Sequence, residues 1–389
     1  MADRVNLYKQ DGVDVPLGDQ FSSFAGELCQ QTYGNNPNII VRNLSNGLFR
    51  GPRFFFPVGT PPGTGFHLAP DGIGTKHIIT DAALRHRDSA RDWVAMTAGD
   101  NTRYGGKTAL LVNNLDVQSL GADEHSGTFQ AACELMLGLK QVADECGYVM
   151  YGGETAELAP CVASSNPQAL LRYIWSGVAF AFFNPANVIT GANVRVGQKI
   201  VALKEKGFRS NGGGSVRKAL EMRFGDNWYV EPEAQPYIQL AAVPSILYDE
   251  FLTHMNGWSS AGLTPIVRAS LIVHLTGGSF RGKFFEDFLV RHGFSATLYD
   301  LFEPPEILRL CGEWRGFDSE GFYETFHGGQ GGIVVMDTED VGEFIRTAAE
   351  LYGIEAKECG EITNATDSKP QLTIESKFGD RETIIIGGK

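Results

Sequence analysis

Cysteine, positive charge and long apolar runs are all scarce in this chain of 389 residues. Its six cysteines, Cys29, Cys133, Cys146, Cys161, Cys311 and Cys359, are scattered without a C-x-x-C pair. That spacing argues against a zinc site and fits free thiols in a reducing cytoplasm, each a small buried hydrophobe. Lysine and arginine number 33 against 46 aspartates and glutamates, a formal net charge of −13. Such a surface lacks the basic footprint that nucleic-acid binding requires, although a local pocket on it can still be positive toward a small anion. No window reads as 18 or more continuous apolar residues, which speaks against a membrane-spanning helix. The opening residues, Met1 to Asn6, lack the apolar core of a secretion signal.

What is present is enough for about two domains at roughly 150–200 residues each, with 43% hydrophobic residues to fill two cores. Residues 1–65 are rich in Gly, Pro and Asn and read as a leader or flap, with a short helix near Phe21 to Gln31 and a loop from Gly59 to Gly65. The stretch Asp71-Gly72-Ile73-Gly74-Thr75-Lys76 is not a Walker loop, yet it has parts of a nucleotide site. Its glycines allow close backbone approach to an anion, Asp71 offers a hard oxygen to a divalent cation, and Lys76 offers a point charge to phosphate. A plain glycine turn is the alternative.

Ser89 to Thr97 reads as a helix that leaves Asp100 in a glycine-flanked turn at or just past its end, either as an accessible metal ligand or as a cap. His125 to Cys146 carries its apolar residues at helical spacing. Tyr148 to Tyr151 reads as a strand whose exit turn carries Gly152-Gly153-Glu154-Thr155, where the backbone can aim Glu154 at a metal. A boundary falls at about residues 185–195, separating a domain of residues 66–187 from one of 195–365. The second half holds three glycine-rich turns. Arg209-Ser210-Asn211-Gly212 precedes a helix from Val216 to Arg223 and can cradle an anion. Thr276-Gly277-Gly278 follows a strand containing His274, a residue open to a structural or a catalytic reading. Phe326 to Gly332 leads into another strand. Pro244 to Leu252 reads as helical, and residues 366–389 as a polar tail with one strand-like piece at Thr383 to Ile386.

Taken together, these motifs resemble the AIR synthetase (phosphoribosylformylglycinamidine cyclo-ligase) family. Its Y-K-x-x-G-V-D lies at Tyr8 to Asp14, its D-G-V-G-T-K at Asp71 to Lys76, its V-A-M-x-x-N-D at Val94 to Asp100 and its G-G-E-T-A-E at Gly152 to Glu157. The S-N-G-x-S-L-V-R-K, H-x-T-G-G-G and T-F-N-x-G-x-G-M segments align with Ser210 to Lys218, His274 to Ser279 and Thr325 to Gly332. Order is kept over nearly the whole chain.

The resemblance implies two α/β (α+β) halves with mixed, mostly antiparallel sheets backed by helices, and N-terminal sheets that pair in a homodimer. It implies ATP and Mg2+ as cofactors, and a small phosphorylated ribonucleotide as substrate. Phosphorylation of the amide oxygen of formylglycinamidine ribonucleotide is followed by ring closure. Asp71, Asp100 and Glu154 become candidate magnesium ligands, and Asp71, Lys76 and His274 candidate catalytic residues. Gly72, Gly74, Thr75, Lys76 and Gly152 to Thr155 become candidate nucleotide contacts. Arg209, Ser210, Asn211, Gly212, Thr276, Gly277 and Gly278 become candidate substrate contacts. Besides Ile73, Gly214 and Ser215, six positions depart from the family pattern: Gly99, Asn113, Arg209, Ser279, Glu324 and His327. Four of these, Asn113, Arg209, Glu324 and His327, change charge or hydrogen-bonding type around the expected substrate region, so the amide that is activated is less constrained than the use of ATP.

Overall fold

The computed structural model describes residues 14–44, 53–210, 212–258, 263–365 and 369–387. Candidate features at residues 8–13 and 46–52, and Asn211, lie outside them. The chain divides into two compact units. One comprises Met1–Asn101 with Thr108–Phe182, the other Thr102–Lys107 with Phe183–Lys389.

Unit 1 is built on a four-stranded sheet ordered β3 (Gly65–Gly72), β6 (Tyr173–Phe183), β4 (Lys107–Val117) and β5 (Val149–Glu157). β4 and β5 run parallel, Leu110 facing Val149 and Val117 facing Glu157. A parallel pair needs a long crossover, and helix α4 (Gly127–Cys146) supplies it. Ser126 caps α4 by accepting from the Phe129 N–H at 3.3 Å, and Gly147 ends it with φ 64°. Its buried stripe, including Leu135, Met136, Leu139 and Val142, fits the spacing expected of it.

The leader is not a bare flap where it is described. Asp14 caps helix α1 (Val15–Gln31), and Phe21, fully buried, meets Phe129 edge-on at 6.0 Å. Burying such a ring contributes about 1.5–3 kcal/mol. Residues Ile39–Asn43 (β1) and Arg53–Pro57 (β2) form an antiparallel hairpin.

Among the described residues, helices α2 (Lys76–Ala82) and α3 (Ser89–Thr102) are the other α-helices of this part. Two expectations change. Asp100 lies inside the last turn of α3 rather than in a turn beyond it. The sequence Gly152 to Glu157 continues strand β5 rather than leaving it, because β4 pairs along its whole length. The two glycines read as a turn in sequence. In the structure a Cβ on Gly153 would meet Asn113 of the neighbouring strand at 2.4 Å, and one on Gly152 the Arg53 guanidinium at 2.8 Å, so the glycines mark close approaches instead.

Unit 2 holds a seven-stranded mixed sheet. Its order is β13 (Thr383–Gly387), β12 (Gln371–Glu375), β9 (Phe294–Leu298), β11 (Ala356–Asn364), β7 (Lys199–Lys204), β10 (Gln330–Met336), β8 (Leu271–His274). β12 and β9 are parallel, and the other recorded pairs are antiparallel. β10 is buried at every position.

The amphipathic helix α5 (Thr338–Tyr352) places Val341, Phe344 and Ala348 in a core with Val201, Leu203, Phe251, Val334 and Met336. The polar tail is part of this sheet, with Leu372, Ile374, Ile384 and Ile386 buried at alternating positions. Pro244 to Tyr248 is not helical; the helix there is Asp249–Met255. Of the six cysteines, all are free, four are buried, Cys146 is half-buried and Cys161 is exposed. Among the described residues no helix is long and apolar enough to cross a membrane.

Candidate functional site

In unit 1 the Asp71–Lys76 segment, running from the last two residues of β3 to the first of α2, is held from three sides. Trp93 Nε1 of α3 donates to the Asp71 carbonyl at 3.1 Å, and the Ile73 N–H donates to the Trp175 carbonyl at 3.0 Å. Lys76 Nζ, fully buried, pairs at 2.7 Å with Asp92, also fully buried. The Asp71 carboxylate accepts from the Gly72 N–H at 2.7 Å. Gly74, at φ 63°, and Thr75 are the exposed residues of the loop. The lysine therefore stands as a fixed, charge-balanced anchor, and Gly74 and Thr75 are the parts of the loop open to a ligand.

Gly153, Glu154 and Thr155 border a cavity of about 290 Å³. Its wall includes four carboxylates, Asp14, Asp19, Glu154 and Glu157, with Asn113, Ser22 and Thr155, and among the described residues no lysine or arginine. Such a lining favours cations and hydrogen-bond donors; a phosphate there needs a counter-cation. Glu157 accepts from the Asp14 N–H at 3.0 Å and the Leu120 N–H at 2.8 Å, tying α1 to the end of β5. Asn113, buried on β4, contacts the Gly152 carbonyl through Nδ2 and the Trp175 indole through Oδ1, each at 3.4 Å. Sequence reasoning assigned no role to Asp14, Asp19 or Glu157. The signal was present, since Asp14 ends one family motif and Glu157 another.

The three candidate magnesium ligands are not gathered. Asp71 and Glu154 lie on β3 and β5, the two outer strands of the sheet. Three strand steps separate them, roughly 14 Å. Among the described residues no group of three or more His, Cys, Asp or Glu side chains is placed to hold a metal ion. Among the described residues, Asp71, Asp100 and Glu154 therefore do not make a three-carboxylate cage for magnesium.

In unit 2 the three glycine-rich turns do come together. A Cβ on Gly212 would meet the Phe326 ring at 2.9 Å, and Ser279 Oγ donates to the Phe326 carbonyl at 2.9 Å. Ser279 holds φ 45°, a backbone region that favours glycine, where the family has one. Thr276 is half-buried, Gly277 and Gly278 are exposed, and Ser210 is half-buried.

Arg209, at 2% exposure, does not face solvent. Nη1 donates to Glu205 Oε2 at 2.7 Å and to the Ile246 carbonyl at 3.0 Å, and Nη2 meets His274 Nε2 at 2.9 Å. The Tyr248 ring lies 5.2 Å from its guanidinium carbon. Burial, reinforced by the positive charge of Arg209, Arg103, Lys283 and His327, pushes the His274 pKa well below its ordinary value. Glu324 pairs with Arg281, and His327 Nδ1 accepts from the Gly329 N–H at 3.1 Å. Of the six departures, Arg209, Ser279 and His327 thus meet around one cluster.

No family model matches the chain. Among curated proteins, the phosphoribosylformylglycinamidine cyclo-ligase of Desulfotalea psychrophila is 28% identical over 367 residues, covering 94% of this chain and 95% of its own. The cyclo-ligase of Methanocaldococcus jannaschii is 25% identical over 327 residues, covering 82% and 85%. Over nearly its whole length the chain is thus similar to the AIR synthetases.

Solved structures agree on the fold. Thiamine-monophosphate kinase from Stenotrophomonas maltophilia superposes with a TM-score of 0.56 at 13% identity, over 92% of this chain and 97% of that one. Hydrogenase maturation protein HypE, in complex with ATP, superposes with 0.54 at 12% identity, over 82% and 84%. The AIR synthetase-like architecture thus places the altered residues Arg209, Ser279 and His327 inside unit 2, while the acidic cavity and the Lys76–Asp92 pair sit in unit 1.

Proposed function

We propose that this protein is an ATP-dependent enzyme of AIR synthetase type that closes the imidazole ring of formylglycinamidine ribonucleotide. The observation that carries this reading is the match, at 28% identity and over 94% of the chain, to an enzyme named for that reaction. ATP phosphorylates the amide oxygen, the amidine nitrogen attacks the activated carbon, and phosphate leaves with that oxygen. Phosphoryl transfer of this kind rests on positioning and electrostatics and needs no protein nucleophile. Gly74 and Thr75 are the loop residues open to the nucleotide, with Lys76 fixed behind them by Asp92. Magnesium commonly takes one or two carboxylates plus phosphate oxygens, so it enters with the nucleotide rather than occupying a protein cage. Asp71, Asp100 and Glu154 each remain suited as a single ligand. The turns around Phe326 are the proposed seat of the ribonucleotide.

Homodimer formation belongs to the same reading. The outer strand β3 exposes Phe66 at 59% and Leu68 at 60%, an edge and apolar face suited to a second copy.

A second reading is favoured by the altered cluster. Arg209, His327 and Ser279 replace His, Asn and Gly of the family, and a site with different polar partners selects a different amide or carbonyl acceptor. Phosphate release from ATP and magnesium separates the two. Stimulation by formylglycinamidine ribonucleotide supports the first reading, and stimulation only by other amides supports the second.

A further inference from the structure

The Arg209–His274 contact fixes which imidazole nitrogen carries the proton. A guanidinium donates and cannot accept, so at 2.9 Å from Nη2 the His274 Nε2 must be the acceptor. The proton of the neutral ring is then on Nδ1. His274 is 6% exposed, and its Nδ1 has no hydrogen-bond partner among the described residues. A buried, unmatched N–H is destabilising, and a ligand oxygen would relieve it. Arg209 itself is over-determined: Glu205 and the Ile246 carbonyl hold Nη1, and the Tyr248 ring lies against the guanidinium. It also takes φ 57°, uncommon for a residue with a side chain.

The surroundings select the sign of the ligand. The groups acting on His274 are Arg209, Arg103, Lys283 and His327, all of them cationic or able to become so. Glu205 and Asp249 supply counter-charge on Arg209. Two residues beyond His274 the chain turns through Thr276, whose N–H donates to the His274 carbonyl at 2.9 Å, and then through the exposed Gly277 and Gly278.

We propose that Arg209 is a positioning residue that locks His274 as the neutral Nδ1–H tautomer, and that this N–H donates to a phosphate oxygen held at the Thr276–Gly278 turn. His274 is then a hydrogen-bond donor and neither an acid nor a base in the reaction. This deepens the proposed function, since it assigns the ligand's phosphate to unit 2, but it is read by binding rather than turnover.

The test is nitrogen-15 NMR of the full-length protein labelled at histidine, with His274 assigned through the His274→Asn variant. Between pH 5.5 and 8.5, His274 should show a protonated Nδ1, an unprotonated Nε2 and no titration, and inorganic phosphate should shift its Nδ1 signal. An Nε2–H tautomer or a titration near pH 6.5 would overturn the lock. A correct tautomer unmoved by phosphate would overturn the ligand. In the Arg209→Met/Glu205→Gln double variant, which leaves no buried charge unpaired between the two positions, tautomer control should be lost. Should that variant not fold, the wild-type spectra decide alone.

As a second arm, asparagine keeps a donor near the Nδ1 position and glutamine near Nε2. His274→Asn should hold phosphate within roughly threefold of wild type, while His274→Gln weakens it roughly tenfold or more; equal weakening would count against the assignment. If formylglycinamidine ribonucleotide proves not to be the substrate, these outcomes are unaffected, so failure of the proposed function and failure of this inference are distinguishable.

Discussion

At Lys76 and Asp92 two full charges sit at 2.7 Å with no solvent exposure. Removing one partner strands the other, which costs about 3–5 kcal/mol. Lys76→Met should therefore lower unfolding free energy by about that amount in denaturant titrations, and Lys76→Met/Asp92→Leu should recover most of it. A loss of activity in the single variant alone would not identify a catalytic role.

Asp249 gives a pH signature. Burial raises its pKa from 3.8 to about 6, against the hydrogen bond it accepts from Thr102 Oγ1 at 2.6 Å. Below the unfolded value both states are protonated and nothing is lost. As pH rises from about 4 to 6 the unfolded chain ionises first, so stability falls, by roughly 3 kcal/mol once both are charged. Asp249→Asn should flatten that fall in thermal melts between pH 4 and 7. An unchanged slope would show that the carboxylate is not the source.

At Ser279 the strain of φ 45° opposes the hydrogen bond to Phe326. Ser279→Ala keeps the strain and loses the bond, so it should cost about 1 kcal/mol. Ser279→Gly loses both, and its melting temperature should lie above that of the alanine variant.

Among the elements, sequence periodicity located those with one clear face. Helix α4 and the fully buried β10 carry their apolar residues where a single face or a continuous run demands them. β3 was hidden because Gly65, Pro70 and Gly72 give it the composition of a loop. As an outer strand it tolerates proline, for which a missing N–H matters little. β12 alternates Leu372 and Ile374 with polar residues, and five residues of alternation in a polar tail are a weak signal until β9 is known to lie alongside.

The site was legible unevenly for the same reason. The glycine motifs mark where backbones approach closely, and that much can be read. Whether Asp71 and Glu154 converge depends on strand order, which lies in no local pattern. Arg209 read as a candidate substrate contact because its partners Glu205, Ile246 and His274 come from separate segments. The β3 edge carries its own prediction. Under the proposed dimer, Leu68→Glu should shift sedimentation toward the monomer while changing the melting temperature of the monomer little, because Leu68 is 60% exposed. Unchanged sedimentation would remove β3 from the interface.

On the scale of the molecule, the two units divide the proposed chemistry. Unit 1 presents an acidic cavity and a charge-balanced lysine, which suit a nucleotide accompanied by its counter-cation. Unit 2 presents clustered turns and a positive surround at His274, which suit a phosphate ester. A net charge of −13 leaves that local positive field as the feature a small anion would find.

The central claim is that ATP activates an amide oxygen that then departs as phosphate, and oxygen tracing tests it most directly. Formylglycinamidine ribonucleotide carrying oxygen-18 in its formyl amide, incubated with enzyme, ATP and magnesium, should yield the aminoimidazole ribonucleotide and inorganic phosphate bearing one oxygen-18 per ring closed. Ring closure with unlabelled phosphate, or labelled substrate recovered intact while ATP is consumed, would contradict it.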